Sequence, residues 1–122
     1  MMARVDISHK DAEIRNVLSW LSNRFGPNFL VVDHWEADRC AIGVAAIHDP
    51  KRLVYISSWG QPTGHYSVEL ETAPTQGSEI PYTSVGKFIT VDRKELARTV
   101  AQHLTLAPSD PSAQPQNPTP GT

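Results

Sequence analysis

The stretch His65-Tyr66-Ser67-Val68-Glu69-Leu70-Glu71 decides the fold, because its polar and apolar side chains alternate without a break. A period of two is typical of a β-strand with one buried and one solvated face. The apolar set, expected to face the core, is Tyr66, Val68 and Leu70. The polar set, expected to face water, is His65, Ser67, Glu69 and Glu71. A sheet with one wet face is a common arrangement of antiparallel strands.

Four further segments predict strands, at residues 29–35, 40–47, 52–59 and 86–91. Glu36-Ala37-Asp38-Arg39 is a plausible four-residue hairpin loop between the first two of them. Segments rich in proline, glycine and aspartate separate the others, and such short connections favour an antiparallel meander. Apolar residues occupy both faces of the first two strands, so the pattern leaves open which face is buried.

A helix is predicted on either side of the strands. Ser8 and Asp11 form a capping-box pattern at the start of the first, and Gly26 with Pro27 ends it. Asp92 and Glu95 form the same pattern at the start of the second. The apolar residues recur at helical spacing, namely Ile14, Val17, Leu18, Leu21 and Phe25, and then Leu96, Ala97, Val100, Ala101 and Leu104. The predicted fold is an α+β two-layer sandwich, an approximately five-stranded, mainly antiparallel meander with both terminal helices on one face.

The 122 residues predict one domain, residues 1–107, followed by a proline-rich tail, residues 108–122, that is expected to be disordered. The net charge of −2 does not predict nucleic acid or an anionic membrane as a partner. Cys40 is the single cysteine, which excludes an internal disulfide and is compatible with a reducing cytoplasm. Neither a signal peptide nor a membrane span is recognisable, so a cytoplasmic protein is expected.

The face of the sheet away from the helices is the predicted working surface. In the third strand Val54 and Ile56 suit the core, which directs alternate residues outward. The candidate partner-binding residues are Tyr55, Ser57, Trp59, His65, Glu69 and Glu71. Tyrosine and tryptophan are frequent anchors of protein interfaces. Acidic residues concentrate in the middle of the chain, at Asp33, Glu36, Asp38, Glu69, Glu71 and Glu79. A basic protein is therefore the expected kind of partner.

The main alternative is a small hydrolase or metal-dependent enzyme built on His34, Glu36, Cys40 and His65. The pair His34 and Glu36 has the His-x-Glu spacing of zinc deaminases, but the Pro-Cys-x-x-Cys that such a site also needs is missing. Cys40 opens an apolar run, which favours a buried structural thiol over a nucleophile. At least three of the four residues would have to converge in a pocket. No catalytic residue, metal ligand or cofactor is therefore predicted.

A third hypothesis is a small-molecule binding domain, which requires an apolar cavity between the sheet and the helices. The sequence contains no glycine-rich phosphate loop or dinucleotide fingerprint.

Two segments carry a resemblance, Val32-Asp33-His34-Trp35-Glu36-Ala37-Asp38-Arg39-Cys40-Ala41-Ile42-Gly43-Val44 and Leu53-Val54-Tyr55-Ile56-Ser57. Their acidic and aromatic character, the size and the helix-flanked meander over residues 5–107 resemble small bacterial immunity proteins that neutralise toxins. The resemblance implies stoichiometric binding of a toxin domain without catalysis, and it assigns no functional residue. The leading hypothesis is a non-enzymatic protein-binding module, with an immunity-type inhibitor as its specific form.

Overall fold

The computed structural model describes residues 6–74 and 82–106. The two helices are α1 (Ala12–Phe25) and α2 (Arg93–Leu104), and the strands are β1 (Phe29–Val32), β2 (Ala41–Ala46), β3 (Asp49–Ser57), β4 (His65–Thr72) and β5 (Thr83–Asp92). The five strands form one sheet in chain order, and every neighbouring pair is antiparallel. The predicted α+β meander is confirmed. The tail predicted for residues 108–122 lies outside the described residues.

The helix ends follow local capping chemistry. The predicted start of α1 at Ser8 is wrong, because Asp11 is the N-cap and its side chain accepts a hydrogen bond of 2.9 Å from the Ile14 amide. Gly26 ends α1 with a φ of 63°, a backbone angle that glycine adopts without strain. Asp92 caps α2 as predicted and accepts a hydrogen bond of 2.8 Å from the Glu95 amide.

Both helices pack on the same face of the sheet and form one hydrophobic core with it. The core residues contributed by β4 are Tyr66 and Val68, as the alternation predicts. From α1 and α2 come Ile14, Val17, Leu18, Leu21, Phe25, Leu96, Ala97, Val100 and Leu104. The sheet therefore has an inner face under the helices and an outer face on the opposite side.

The first hairpin differs from the prediction. β1 ends at Val32 instead of continuing to residue 35, so the connection to β2 spans residues 33–40 instead of 36–39. In this loop the carbonyls of Trp35 and Asp38 accept hydrogen bonds from the Lys10 ammonium. Trp35, which the sequence placed at the end of the first strand, thus lies outside the ladder, and its carbonyl has the distant Lys10 side chain as a partner.

The structure settles which faces of the central strands are buried. Ile42 and Val44 of β2 belong to the core under the helices, while Ala41, Gly43 and Ala45 are buried on the outer face. Leu53 of β3 is also completely buried on the outer face, opposite Ala45. Part of the outer face is therefore covered.

Candidate functional site

The middle of the outer face is organised by strand register. Gly43 pairs with Tyr55, Tyr55 with Glu69, and Glu69 with Lys87, so one row crosses four strands. Because partners in an antiparallel ladder point to the same side, these positions share a face. The row places an aromatic ring, a carboxylate and an ammonium side by side.

The predicted partner-binding residues occupy this face and one end of it. Tyr55, His65, Glu69 and Glu71 are partly exposed, whereas Ser57 is 4% exposed and faces Ser67 of β4. Trp59 lies just beyond the end of β3 and is 77% exposed. The structure thus brings five of the six residues onto the two central strands and puts the tryptophan at their end.

Trp35 completes the site, although the strand pattern did not predict a role for it. Its ring meets that of Tyr55 edge to face, with centroids 4.8 Å apart. An added Cβ on Gly43 would lie 2.9 Å from Trp35 Cζ3, so only glycine leaves room for the indole over β2. The glycine inside a predicted strand was the available signal, because such glycines mark a close approach.

Lys10 holds the loop that carries Trp35. The residue is 1% exposed, and Nζ donates hydrogen bonds to Asp33 Oδ1 at 2.9 Å, to the Trp35 carbonyl at 3.0 Å and to the Asp38 carbonyl at 2.7 Å. Three acceptors match the three protons of an ammonium group. Asp33, expected from the sequence to contribute to an acidic patch, therefore forms an ion pair with Lys10 of the same chain.

A second aromatic contribution comes from the segment just before β5. A hydrogen bond of 2.9 Å joins Tyr82 Oη and His34 Nε2, and the Lys51 ammonium lies 4.9 Å from the centre of the Tyr82 ring. His34 also contacts Trp35, with ring centroids 5.5 Å apart. Aromatic side chains from the β1–β2 loop and from Tyr82, directly before β5, therefore extend the face formed by β3 and β4.

The two glutamates of β4 are the acidic element of the face. Burial, and then the neighbouring Glu69 carboxylate, raise the pKa of Glu71 above its ordinary value. Burial likewise raises the pKa of Tyr55, to which Asp38 and Glu69 contribute. Lys87 lies opposite Glu69 and offsets part of the negative charge. Glu79 lies outside the described residues.

The residues of the alternative enzyme hypothesis have separate neighbours. His34 contacts Tyr82 and Trp35, the His65 ring bonds the Thr63 carbonyl, and Glu36 lines a surface depression of about 530 Å³ with Asp6, His9 and Asp33. Within residues 6–74 and 82–106, no three histidine, cysteine, aspartate or glutamate side chains form a group that could hold a metal ion.

Cys40 belongs to a polar cluster at the start of α1. A hydrogen bond to Asp11 and then burial raise the pKa of the Cys40 thiol. Burial alone would raise the pKa of Asp11, but hydrogen bonds from the Ile14 amide, Cys40 and Ser58 together lower it. The thiol is thus held protonated beside a carboxylate, which weakens it as a nucleophile.

The fold and the face together define an α+β sheet domain that presents aromatic and acidic side chains on the side away from its helices. Comparison with protein-family models, curated proteins and solved structures gave no match. Among the described helices, neither has the length and apolar character needed to cross a membrane.

Proposed function

We propose that this chain is a non-enzymatic protein-binding module whose binding site is the outer face around Tyr55, Trp59, Glu69 and Glu71. The observation that carries the proposal is the Trp35–Tyr55 ring pair, 4.8 Å between centroids, beside two glutamates on the face away from the helices. Rigid aromatic side chains flanked by polar groups are the usual composition of interface hot spots.

The exposure of Trp59 supports a macromolecular partner. Its indole is 77% exposed at the end of β3, where the main core does not use it. Tryptophan gains much free energy when a partner removes it from water, because it presents a large apolar area with little side-chain entropy to lose. Single exposed apolar residues are ordinary, but this one lies two residues after β3, the strand that carries Tyr55.

The glutamate pair supports a basic partner. Glu69 and Glu71 are two residues apart on one strand face, and their mutual repulsion contributes to the raised pKa of Glu71. A lysine or arginine from a partner would relieve that repulsion and accelerate the encounter. Stoichiometric inhibition of a basic toxin enzyme, as in the immunity proteins that the layout resembles, is the form of this function that we favour. A cytoplasmic location belongs to the same proposal.

The test is a pull-down from the native source with the purified chain as bait. The wild type is compared with a Tyr55→Ala/Trp59→Ala/Glu69→Ala variant, and circular dichroism establishes that the variant is folded. We expect one protein to be retained by the wild type at a one-to-one ratio and lost by the variant.

A matched control places three alanines on the opposite side of the molecule, at Asn16, Ser19 and Asn23, which are exposed on α1. This control variant should retain the partner as the wild type does. Retention by the outer-face variant together with loss by the α1 variant would overturn the proposal, as would the absence of any retained protein.

A further inference from the structure

Strand β5 is one edge of the sheet and carries most of the exposed large apolar side chains found in residues 6–74 and 82–106. Val85 is 55% exposed, Phe88 46% and Ile89 77%. Lys87 is the single charged residue between Thr83 and Val91. The opposite edge, β1, has only four residues, and Phe29 within it is buried. A long, exposed and nearly uncharged edge is a template for pairing with another strand.

The irregularities of β5 are symmetric about Lys87. Leu70 pairs with Gly86 and Glu71 with Ser84, so Val85 is an extra residue on the β5 side. Val68 pairs with Phe88 and Tyr66 with Val91, so Ile89 and Thr90 together face Ser67. These are two β-bulges, and Thr90 in the second has a φ of 57°. Ser84 and Val85 lie three and two residues before Lys87, and Thr90 and Ile89 lie three and two residues after it.

We propose that two copies of this chain associate by antiparallel pairing of their β5 strands about a two-fold axis at Lys87. In this register Val85 faces Ile89 of the second copy, Gly86 faces Phe88, and each bulge meets the other bulge. The paired ladder ends at the bulges, because the Thr90 amide donates a hydrogen bond of 3.0 Å to Gln61 Oε1 of its own chain. Each apolar contact occurs twice because the interface is symmetric. The pairing gives a ten-stranded sheet whose four helices all lie on one side, and the outer faces stay open.

The charges at the axis are compensated within each copy. The two Lys87 side chains would be neighbours, and directly opposite like charges destabilise a strand pair. Each lysine also lies opposite Glu69 of its own sheet. The row across the axis therefore has two carboxylates outside two ammonium groups and no net charge.

The apolar area at this edge is small. A single strand pair buries less than the roughly 1,200–2,000 Å² of a standard stable interface. A lysine and β-bulges on an edge strand also weaken pairing. The dimer is consequently expected to be weak and to dissociate on dilution. It does not depend on the proposed partner, since pairing at β5 and binding at the outer face use different surfaces.

The first test is the mass of the full chain in solution as a function of concentration, by sedimentation velocity. We expect the mass to rise from the 13.5 kDa of one chain toward twice that value. In the symmetric dimer the Val85–Ile89 contact occurs twice. Ile89→Lys removes both contacts and should raise the dissociation constant of the dimer about tenfold. Ile47→Lys, at a residue that is 41% exposed and remote from β5, is the matched control and should dimerise like the wild type.

The second test is cross-linking at the axis in a Cys40→Ser background. Facing Cα atoms in antiparallel strands lie about 4.5–5.5 Å apart, within the span of a disulfide. Lys87→Cys chains should therefore form a disulfide-linked dimer on mild oxidation. Ser84→Cys chains should not, because the two cysteines would lie about 20 Å apart along the strands.

Three results would overturn the proposal. The first is a mass that stays at that of one chain up to the solubility limit. The second is an equal effect of Ile89→Lys and Ile47→Lys on the dissociation constant. The third is equal cross-linking of the Lys87→Cys and Ser84→Cys chains. A failure of the pull-down would not count against it, because these measurements use the chain alone.

Discussion

Replacing Lys10 with methionine is the perturbation that most directly tests how the outer face is built. Methionine fills a similar volume but donates no hydrogen bond. It would leave Asp33, whose side chain is 6% exposed, without its ammonium partner at 2.9 Å. The carbonyls of Trp35 and Asp38 would each lose one donor and keep a backbone amide, that of Asp38 at 2.8 Å and that of Ala41 at 3.4 Å respectively.

The expected loss is large for a domain of this size. Removing one member of a buried ion pair costs about 3–5 kcal/mol, because the remaining charge stays desolvated. Small domains are stable by only about 5–15 kcal/mol in total. The Lys10→Met chain should therefore unfold at a much lower urea concentration than the wild type, with an unchanged dependence on denaturant.

Urea unfolding followed by far-UV circular dichroism measures this effect. Lys94→Met is the matched control, since Lys94 is exposed on α2 and its replacement should change stability by about 0.5 kcal/mol or less. Near-UV circular dichroism should also change for Lys10→Met, because Trp35 loses its fixed position against Tyr55. A loss below about 1 kcal/mol for Lys10→Met would refute the idea that this ammonium anchors the loop.

Three further predictions concern single side chains near the outer face and the start of α1. Gly43→Ala should destabilise the fold by about 1–3 kcal/mol in urea unfolding, because the added Cβ would clash with Trp35. Gly86→Ala should not, because its Cβ would have ordinary contacts of 3.4 Å or more. Equal effects of the two substitutions would contradict the close packing of Trp35 on Gly43. Because the pKa of Glu71 is raised in the folded state, the carboxylate contributes instability that grows as pH rises above the ordinary glutamate value. Glu71→Gln should therefore stabilise the chain more near neutral pH than in acid, and a pH-independent difference in unfolding free energy would refute this. The raised pKa of the Cys40 thiol predicts slow alkylation at neutral pH. Asp11→Asn keeps a good N-cap residue but removes the charge, so alkylation should be faster in this variant. Equal alkylation rates of the two chains, measured by mass spectrometry, would contradict the prediction.

The sequence predicted those parts of the fold that depend on local patterns. The alternation in β4 identified Tyr66 and Val68 as core residues, and Asp92 was recognisable as a helix cap. Both signals lie within a few residues of the position they determine, so no tertiary information was needed.

The hairpin loop and the shape of β5 were not predictable in the same way. The partner that fixes Asp33 is Lys10, 23 residues away, and no local pattern connects them. The apolar character of residues 29–35 favoured a longer strand, but tertiary hydrogen bonding overrode that preference. Likewise, threonine has no preference for the positive φ found at Thr90, so the second bulge had no sequence signal.

The site was predicted only in part, because some of its residues lie outside the regular strands. Strand alternation placed Tyr55, Glu69 and Glu71 on one face, where the structure has them. Trp35 and Tyr82 reach this face from segments outside the regular strands, so their contribution depends on the folded path of the chain.

Oxidative footprinting of the complex with the captured partner tests the central claim most directly, because it reports on side chains. Trp59 is 77% exposed just beyond the end of β3, while Trp20 on α1 is partly exposed, and the guanidinium groups of Arg24 and Arg93 lie close to its ring. If the outer face is the binding site, adding the partner should protect Trp59 from labelling and leave Trp20 unchanged. Protection of Trp20 with unchanged labelling of Trp59 would contradict the account.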